Sequence, residues 1–230
     1  MGTLLEFLRA EQLENNAWRF HVPRELHGAF GGAFGGVVAA ATIVTARSVA
    51  EGRTPNALDC RFVRGLRAGD ATATATVINS GRTLSTVSVD LADEEGKLCT
   101  RATVSLVDPA VLYDHRTSNA VAGDWMPHAD AAKWPAVAPI VEAIDSRIVG
   151  EDERGIATAV RVPWDVDPST SAEAACIAAD MSVGPPVGGA VPRGVSSPNP
   201  DISLRFCGEV TTDILVGACR IDRAFGGIAA

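Results

Sequence analysis

One segment of the sequence is apolar on every side. Residues 34–50 read FGGVVAAATIVTARSVA, so two glycines precede small and apolar side chains that leave no polar face at helical spacing. A helix that is hydrophobic all round is buried all round. The segment is too short, and too often interrupted by Thr and Arg, to cross a bilayer. We therefore predict a central helix that other elements wrap closely.

Segments on both sides of this helix alternate between apolar and polar residues. An alternation with a period of two is typical of strands with one buried face. Because short polar turns join the segments after the helix, we expect an antiparallel sheet wrapped around it. The predicted strands are residues 17–22, which end at Pro23, and then 57–63, 70–78, 83–91 and 98–107.

The second half of the sequence repeats the first. Residues 155–162 alternate and stop at Pro163, which lies 140 residues after Pro23. A helix is predicted over 170–183, where Thr170 and Glu173 have capping-box spacing. The Arg-Phe pair at 205–206 lies 144 residues after the one at 61–62. Two copies of one α+β unit explain this period better than a solenoid does.

The repeat divides the chain into three parts. Residues 1–108 are predicted to form the first unit and residues 137–230 the second. Residues 109–136 have no clear period and contain several prolines, so we predict a linker. In the second unit, 214–221 correspond to 71–78 and 224–230 to 83–89, while the counterpart of 98–107 is missing from the sequence.

Composition and charge narrow the function. The 230 residues are 47% hydrophobic, with a mean hydropathy of +0.14, which is ample for a core. A formal charge of -8 and a pI near 5.0 disfavour nucleic acid as a partner. Five widely spaced cysteines favour a reduced protein, and no signal peptide is evident, so we expect a cytoplasmic location. The four histidines lack ligand spacing, so no metal site is predicted.

Two features have chemical potential. Asp180 lies at the edge of the apolar face of the second predicted helix, where partial desolvation raises a carboxyl pKa and makes a general base. The alternative is an ordinary solvated surface acid. Gly35 and Gly36 leave the first-turn N–H donors of the central helix open to an anion or a polarised carbonyl oxygen. The alternative is that these glycines only permit tight packing.

These segments resemble the double-hotdog acyl-CoA thioesterases, of the acyl-CoA thioesterase II-like and PaaI-related group. The first repeat is similar in FGGVVAAATIVTA, in the following RFVR at 61–64 and in the turn SGR at 80–82. The second is similar in the helix ending AAD at 178–180 and in SPNPDISLRF at 197–206. The resemblance implies two fused hotdogs, each a long helix wrapped by an antiparallel sheet.

The resemblance also implies a site that uses neither a metal nor a cofactor, since CoA is part of the substrate. In the family, an Asp on the second helix, a Thr or Ser on the next strand and a Gln on the last strand order the attacking water. Asp180 matches the Asp, while the hydroxyl position falls on Asn199, with Ser197 close by. The Gln would lie on the last strand, which this sequence lacks.

We expect the thioester carbonyl to accept N–H donors from Gly36 and Val37, with Gly35 completing the turn. The CoA phosphates are expected outside the pocket, near arginines such as Arg61, Arg64, Arg67 or Arg82. Acyl-CoA is thus the predicted small-molecule partner, with a role in lipid metabolism and no membrane span. The missing strand would leave an open sheet edge, so a homo-oligomer is predicted.

Two other functions stay open from the sequence. A hotdog of the hydratase type would be expected to have an Asp five residues before a His, and this sequence contains no such pair. An acyl-CoA-binding protein with a degenerate, inactive site is the main alternative, because Asn199 and the missing strand alter the usual constellation. Release of free CoA would distinguish a thioesterase from a binding protein.

Overall fold

A computed structural model describes residues 2–111, 124–135, 138–153, 155–190 and 198–222, together with the backbone of two short strands beyond them. None of the helices in these ranges combines the length and apolarity needed to cross a membrane.

The predicted central helix and the strands around it are confirmed in residues 2–111. The helix is buried from Gly36 to Ala46, because it has no side chain that favours solvent on any face. One strand was not predicted, since its sequence AEQLE is mostly exposed and has no apolar alternation. The elements are α1 (Leu4–Phe7), β1 (Ala10–Glu14), β2 (Ala17–Val22), α2 (Gly35–Arg47), β3 (Thr54–Phe62), β4 (Gly69–Ser80), β5 (Leu84–Asp93) and β6 (Leu98–Val107).

The second half follows the predicted repeat with three differences. A strand lies at Ser146–Asp152 where none was predicted, and the helix runs on through Pro185 and Pro186. In place of one predicted strand over 224–230, Ala224–Phe225 and Ile228–Ala229 form a pair of two-residue strands. The elements are β7 (Ala132–Lys133), α3 (Ile140–Ala143), β8 (Ser146–Asp152), β9 (Gly155–Arg161), α4 (Ser171–Ala190), β10 (Asp201–Arg205), β11 (Ile214–Cys219), β12 (Ala224–Phe225) and β13 (Ile228–Ala229).

A strand of the second half completes the sheet of the first. The large sheet has the order β1-β2-β4-β5-β6-β3-β10, and a smaller one has the order β11-β9-β8-β7. All of these neighbours are antiparallel. The predicted boundaries at 108 and 137 stay predictions, as does the homo-oligomer, but the two halves share one continuous sheet.

The junction between β3 and β10 has local twofold symmetry. Asp59 lies opposite Ser203, 144 residues later, which is the repeat distance seen in the sequence. On one side the Phe62 N–H donates to the Pro200 carbonyl, and on the other the Phe206 N–H donates to the Asn56 carbonyl, both at 2.9 Å. The two strands are therefore repeat counterparts, joined about their common centre.

The two long helices pack directly against each other inside this sheet. A Cβ atom on Gly36 would lie 2.8 Å from the Cys176 carbonyl oxygen and 2.8 Å from the Ile177 Cα, so only glycine permits the approach. At the other end of the contact the Arg47 Nε donates to Glu173 at 3.0 Å. Burial raises the pKa of Glu173 to about 7, against the opposing effect of Arg47. The helices thus run antiparallel.

Candidate active site

The N-terminus of α2 is capped by a carboxylate from the other repeat. The Gly36 N–H donates to Oδ2 of Asp180 at 2.8 Å. The Val37 and Val38 N–H groups both donate to the Phe34 carbonyl at 3.1 Å. Because the first-turn amides of a helix have no partners within it, an acidic group here also interacts favourably with the helix dipole.

Asp180 is a buried acid held by neutral donors. It lies in the middle of α4 and is 9% exposed. Its Oδ1 accepts a hydrogen bond from Nδ2 of Asn199 at 3.1 Å, which leaves each carboxylate oxygen with one donor. No Lys, Arg or His in the described ranges forms an ion pair with it. Burial raises the pKa of Asp180 above its ordinary 3.8, while the two hydrogen bonds oppose that rise. The alternative of a solvated surface acid is therefore wrong.

Gly35 and Phe62 form the wall beside Oδ2. A Cβ atom on Gly35 would lie 2.9 Å from Asp180 Oδ2 and 2.9 Å from Phe62 Cζ. The carboxylate and the aromatic ring therefore border the same small space at the start of α2. Sequence reasoning did not single out Phe62 as a site residue, because no local pattern shows that the end of β3 lies beside Asp180 of the distant helix α4.

Two buried thiols lie near the carboxylate. Cys60 on β3 and Cys176, one turn before Asp180 on α4, are both buried. Burial raises the pKa of Cys60 to about 12, and burial likewise raises the pKa of Cys176, with Asp180 adding to both effects. Both thiols therefore stay protonated near neutral pH and are poor nucleophiles.

Comparison with known proteins shows similarity in sequence and in fold. Residues 23–107 match the family model described as the acyl-CoA thioesterase N-terminal domain. An acyl-CoA thioesterase II, TesB2, from Mycobacterium marinum superimposes with a TM-score of 0.75 at 21% identity, over 99% of this chain and 89% of that one. The chain is a double hotdog, and its residues 23–107 are similar to the acyl-CoA thioesterase N-terminal domain.

Two further structures have the same double-hotdog fold. A hotdog-fold protein from Alicyclobacillus acidocaldarius aligns with a TM-score of 0.77 at 20% identity, over 98% of this chain and 88% of that one. The tesB protein of Mycobacterium avium subspecies paratuberculosis aligns with a TM-score of 0.73 at 19% identity, with the same coverage of the two chains. The search of curated proteins finds no match to this sequence.

Most of the predicted site residues meet in this double hotdog. Gly35, Gly36, Asp180 and Asn199 come together at the start of α2. Val37 follows in the same turn, but its N–H already donates to Phe34. Ser197 lies outside the described residues.

The structure places Arg82 away from the other predicted site residues. Nη2 of Arg53, which follows the C-terminus of α2, donates to the carbonyls of Gly81 at 2.6 Å and Arg82 at 3.3 Å. The turn that contains Arg82 therefore lies at the opposite end of α2 from Asp180. A helix of 13 residues is roughly 20 Å long, so Arg82 does not lie beside the Asp180 carboxylate.

Three arginines closer to the site lie at the end of β3 or shortly after it. Arg61 pairs with Asp201 across the β3–β10 junction at 2.6 Å. Arg64 and Arg67 are exposed in the segment directly after Phe62, and within the described ranges neither forms an ion pair. The exposed segment after Phe62 therefore has positive charge available to an anionic ligand.

Proposed function

We propose that this protein hydrolyses acyl-CoA thioesters to a free acid and CoA. The observation that carries the proposal is the Asp180 carboxylate, which is buried, has no cationic partner among the described residues and lies at the N-terminus of α2. A buried carboxylate with a raised pKa is a stronger base than one in water. A helix N-terminus stabilises negative charge where it develops. Both requirements of thioester hydrolysis therefore meet at one point.

The geometry supports a role for each group. Water between Asp180 and the substrate loses a proton to the carboxylate as it attacks the thioester carbonyl carbon, and Asn199 holds the carboxylate in place. The tetrahedral intermediate then collapses, the carbon–sulfur bond breaks, and the proton passes to the departing CoA sulfur. Direct attack by Asp180, to give an anhydride that water then opens, uses the same arrangement. Neither route requires a metal ion or a cofactor.

The carbonyl oxygen is assigned to the first amide of α2. The Gly36 N–H is engaged by Asp180 and the Val37 N–H by Phe34, which leaves the Gly35 N–H as the donor without a partner among the described residues. The oxygen would accept this N–H as negative charge develops on it. This replaces the predicted pair of Gly36 and Val37 by Gly35.

The CoA moiety is assigned to the exposed segment after β3. Phosphate groups bind guanidinium groups through charge-assisted hydrogen bonds. Arg64 and Arg67 lie within five residues of Phe62 along the chain and are exposed. A CoA whose thioester reaches Asp180 past the Phe62 ring would place its phosphates near these two side chains.

A second function is favoured by one observation. Asn199 stands where the family resemblance implies a hydroxyl, and it already donates to Oδ1 of Asp180. With both carboxylate oxygens hydrogen-bonded, the site suits acyl-CoA binding without turnover. This alternative makes a different prediction, because a binding protein would release no thiol.

The test is the release of free CoA from a panel of acyl-CoAs, followed with a thiol reagent. We expect the wild type to release thiol and Asp180→Asn to lose about 10²- to 10⁴-fold in kcat, because the variant keeps the volume but not the base. Asp165→Asn, at an exposed position, is the matched control and should keep wild-type activity. Saturable acyl-CoA binding without thiol release from the wild type would instead select the binding function.

A further inference from the structure

The Phe62 ring of the first repeat borders the same small space as the Asp180 carboxylate of the second. It is partly buried at the last residue of β3, and its Cζ and Asp180 Oδ2 both lie 2.9 Å from the position that a Gly35 Cβ would take. Its backbone N–H donates to Pro200, the residue after Asn199, at 2.9 Å. One residue is thus linked to both sides of the carboxylate: its ring borders the same small space as Oδ2, and its backbone binds the segment that supplies the donor to Oδ1.

The surroundings of Asp180 make this ring important. The titratable groups that interact with the carboxylate are the thiols of Cys60 on β3 and Cys176 on α4, and both are neutral near pH 7. The element α2 contributes only the Gly36 N–H and β10 is preceded by the neutral Asn199. Because no described charge compensates Asp180, the apolar groups that exclude water control how strongly the carboxylate holds a proton.

The double hotdog contains a natural control for this ring. Phe206 is the repeat counterpart of Phe62, 144 residues later, and its N–H makes the equivalent bond to Asn56. Phe206 is also partly buried and packs against the same hydrophobic core. The residues before the two carbonyl acceptors differ, however: Asn199 precedes Pro200, whereas Pro55 precedes Asn56. Only one of two matched phenylalanines therefore lies beside the acid.

We propose that Phe62 is a positioning residue for the thioester hydrolysis proposed above: its ring shields Oδ2 of Asp180 from water and gives the acyl carbons next to the thioester carbonyl an apolar surface to lie against. The inference rests on that proposed function. It assigns a role to a residue that borders the space beside the base rather than one that reacts. It also predicts a preference for substrates whose carbons next to the carbonyl are apolar.

The experiment compares Phe62→Ala, Phe62→Leu and Phe206→Ala in steady-state hydrolysis of acyl-CoAs between pH 4 and 9. We expect Phe62→Ala to lower kcat about 10-fold or more, and to move the acid limb of kcat/KM to lower pH as water reaches the carboxylate. Phe62→Leu should restore most of both, because it keeps an apolar side chain there. Phe206→Ala should leave kcat and the acid limb as in the wild type.

Two results would overturn the proposal. One is an acid limb in Phe62→Ala that coincides with that of the wild type, and the other is an equal effect of Phe206→Ala, which would indicate a general loss of packing. If Phe62→Ala does not fold, Phe62→Leu is compared with Phe62→Tyr instead, because the phenol of tyrosine introduces a polar group near Oδ2.

A failure of the proposed function is recognised separately. If the wild type releases no thiol from any acyl-CoA, the hydrolase proposal fails, and the role of the ring is tested by a titration of carboxyl-¹³C-labelled aspartates followed by NMR. The Asp180 resonance is assigned by its loss in Asp180→Asn. Phe62→Ala should then lower the pKa of Asp180 and Phe206→Ala should not, whereas equal titration in both variants and the wild type would refute the shielding role.

Discussion

A single methyl group at Gly35 tests whether the site depends on the close approach of its parts. In Gly35→Ala the new Cβ would lie 2.9 Å from Asp180 Oδ2 and 2.9 Å from Phe62 Cζ. Non-bonded carbon contacts are favourable at about 3.5–4.0 Å, so each neighbour must move by at least about 0.5 Å. The carboxylate can move only by stretching its 2.8 Å hydrogen bond to Gly36, and the ring only by displacing the end of β3.

These movements set the size of the expected effect. Overpacking of this kind costs about 1–3 kcal/mol, partly offset by the better helix propensity of alanine, so we expect the free energy of unfolding to fall by about 1–2 kcal/mol. Misplacement of a reacting group by about 1 Å costs up to about 10²-fold in rate, so kcat should fall more than stability does.

The assay pairs urea denaturation with thiol release from one acyl-CoA. Gly188→Ala is the control, because a Cβ there meets no atom within 4 Å and the position is exposed in α4. We expect this control to keep its activity and to gain up to about 1 kcal/mol in stability. A Gly35→Ala protein with the activity and the stability of the wild type would show that the close contact among the helix end, the acid and the ring is not needed.

Two further predictions concern buried and exposed charge. Because the folded-state pKa of Glu173 is raised from 4.5 to about 7, its stabilising contribution is complete below pH 4.5 and is lost as the pH rises through 7. Relative to Glu173→Gln, in which Arg47 keeps a neutral partner, the wild type should therefore lose about 3 kcal/mol of unfolding free energy between pH 4.5 and 8 in urea titrations, and parallel pH curves would contradict this. Arg67→Ala should raise KM for acyl-CoA several-fold at low salt but not for an acyl thioester without phosphates, whereas Arg82→Ala should alter neither, and a KM effect of the second variant alone would reverse the assignment of the CoA end.

Local patterns in the sequence were sufficient for the repeated unit. The period of two and the uniformly apolar helix depend on neighbours along the chain, and they predicted α2 and β3 to β6. The Arg-Phe repeat at 61 and 205 also predicted the offset of 144 about which β3 and β10 pair. A strand without alternation, such as β1, gave no signal, because most of its side chains are exposed.

Long-range features were outside the reach of such patterns. The continuation of α4 through Pro185 and Pro186 was missed, because proline usually ends a helix, although its φ is compatible with one. The pairing of β10 with the first sheet joins segments about 140 residues apart, which no local period reports.

The site, like the fold, was predicted only where its features depend on residues close together in the sequence. Asp180 and the glycines at 35 and 36 were singled out from their own segments and from the family resemblance. Only the packing of the two repeats shows that the Gly36 N–H donates to this particular acid and that Phe62 lies nearby. That Arg82 lies far from Asp180 was not predictable either, because the sequence of a turn does not show which end of the helix the turn faces.

The most direct test of the account follows CoA release by the wild type and Asp180→Asn across the pH range in one assay. We predict that wild-type kcat/KM rises with pH through a pKa above 3.8, that the variant loses at least about 10²-fold, and that its residual activity lacks this acid limb. A variant that releases CoA at the wild-type rate, with the same pH profile, would contradict the assignment of Asp180 as the base.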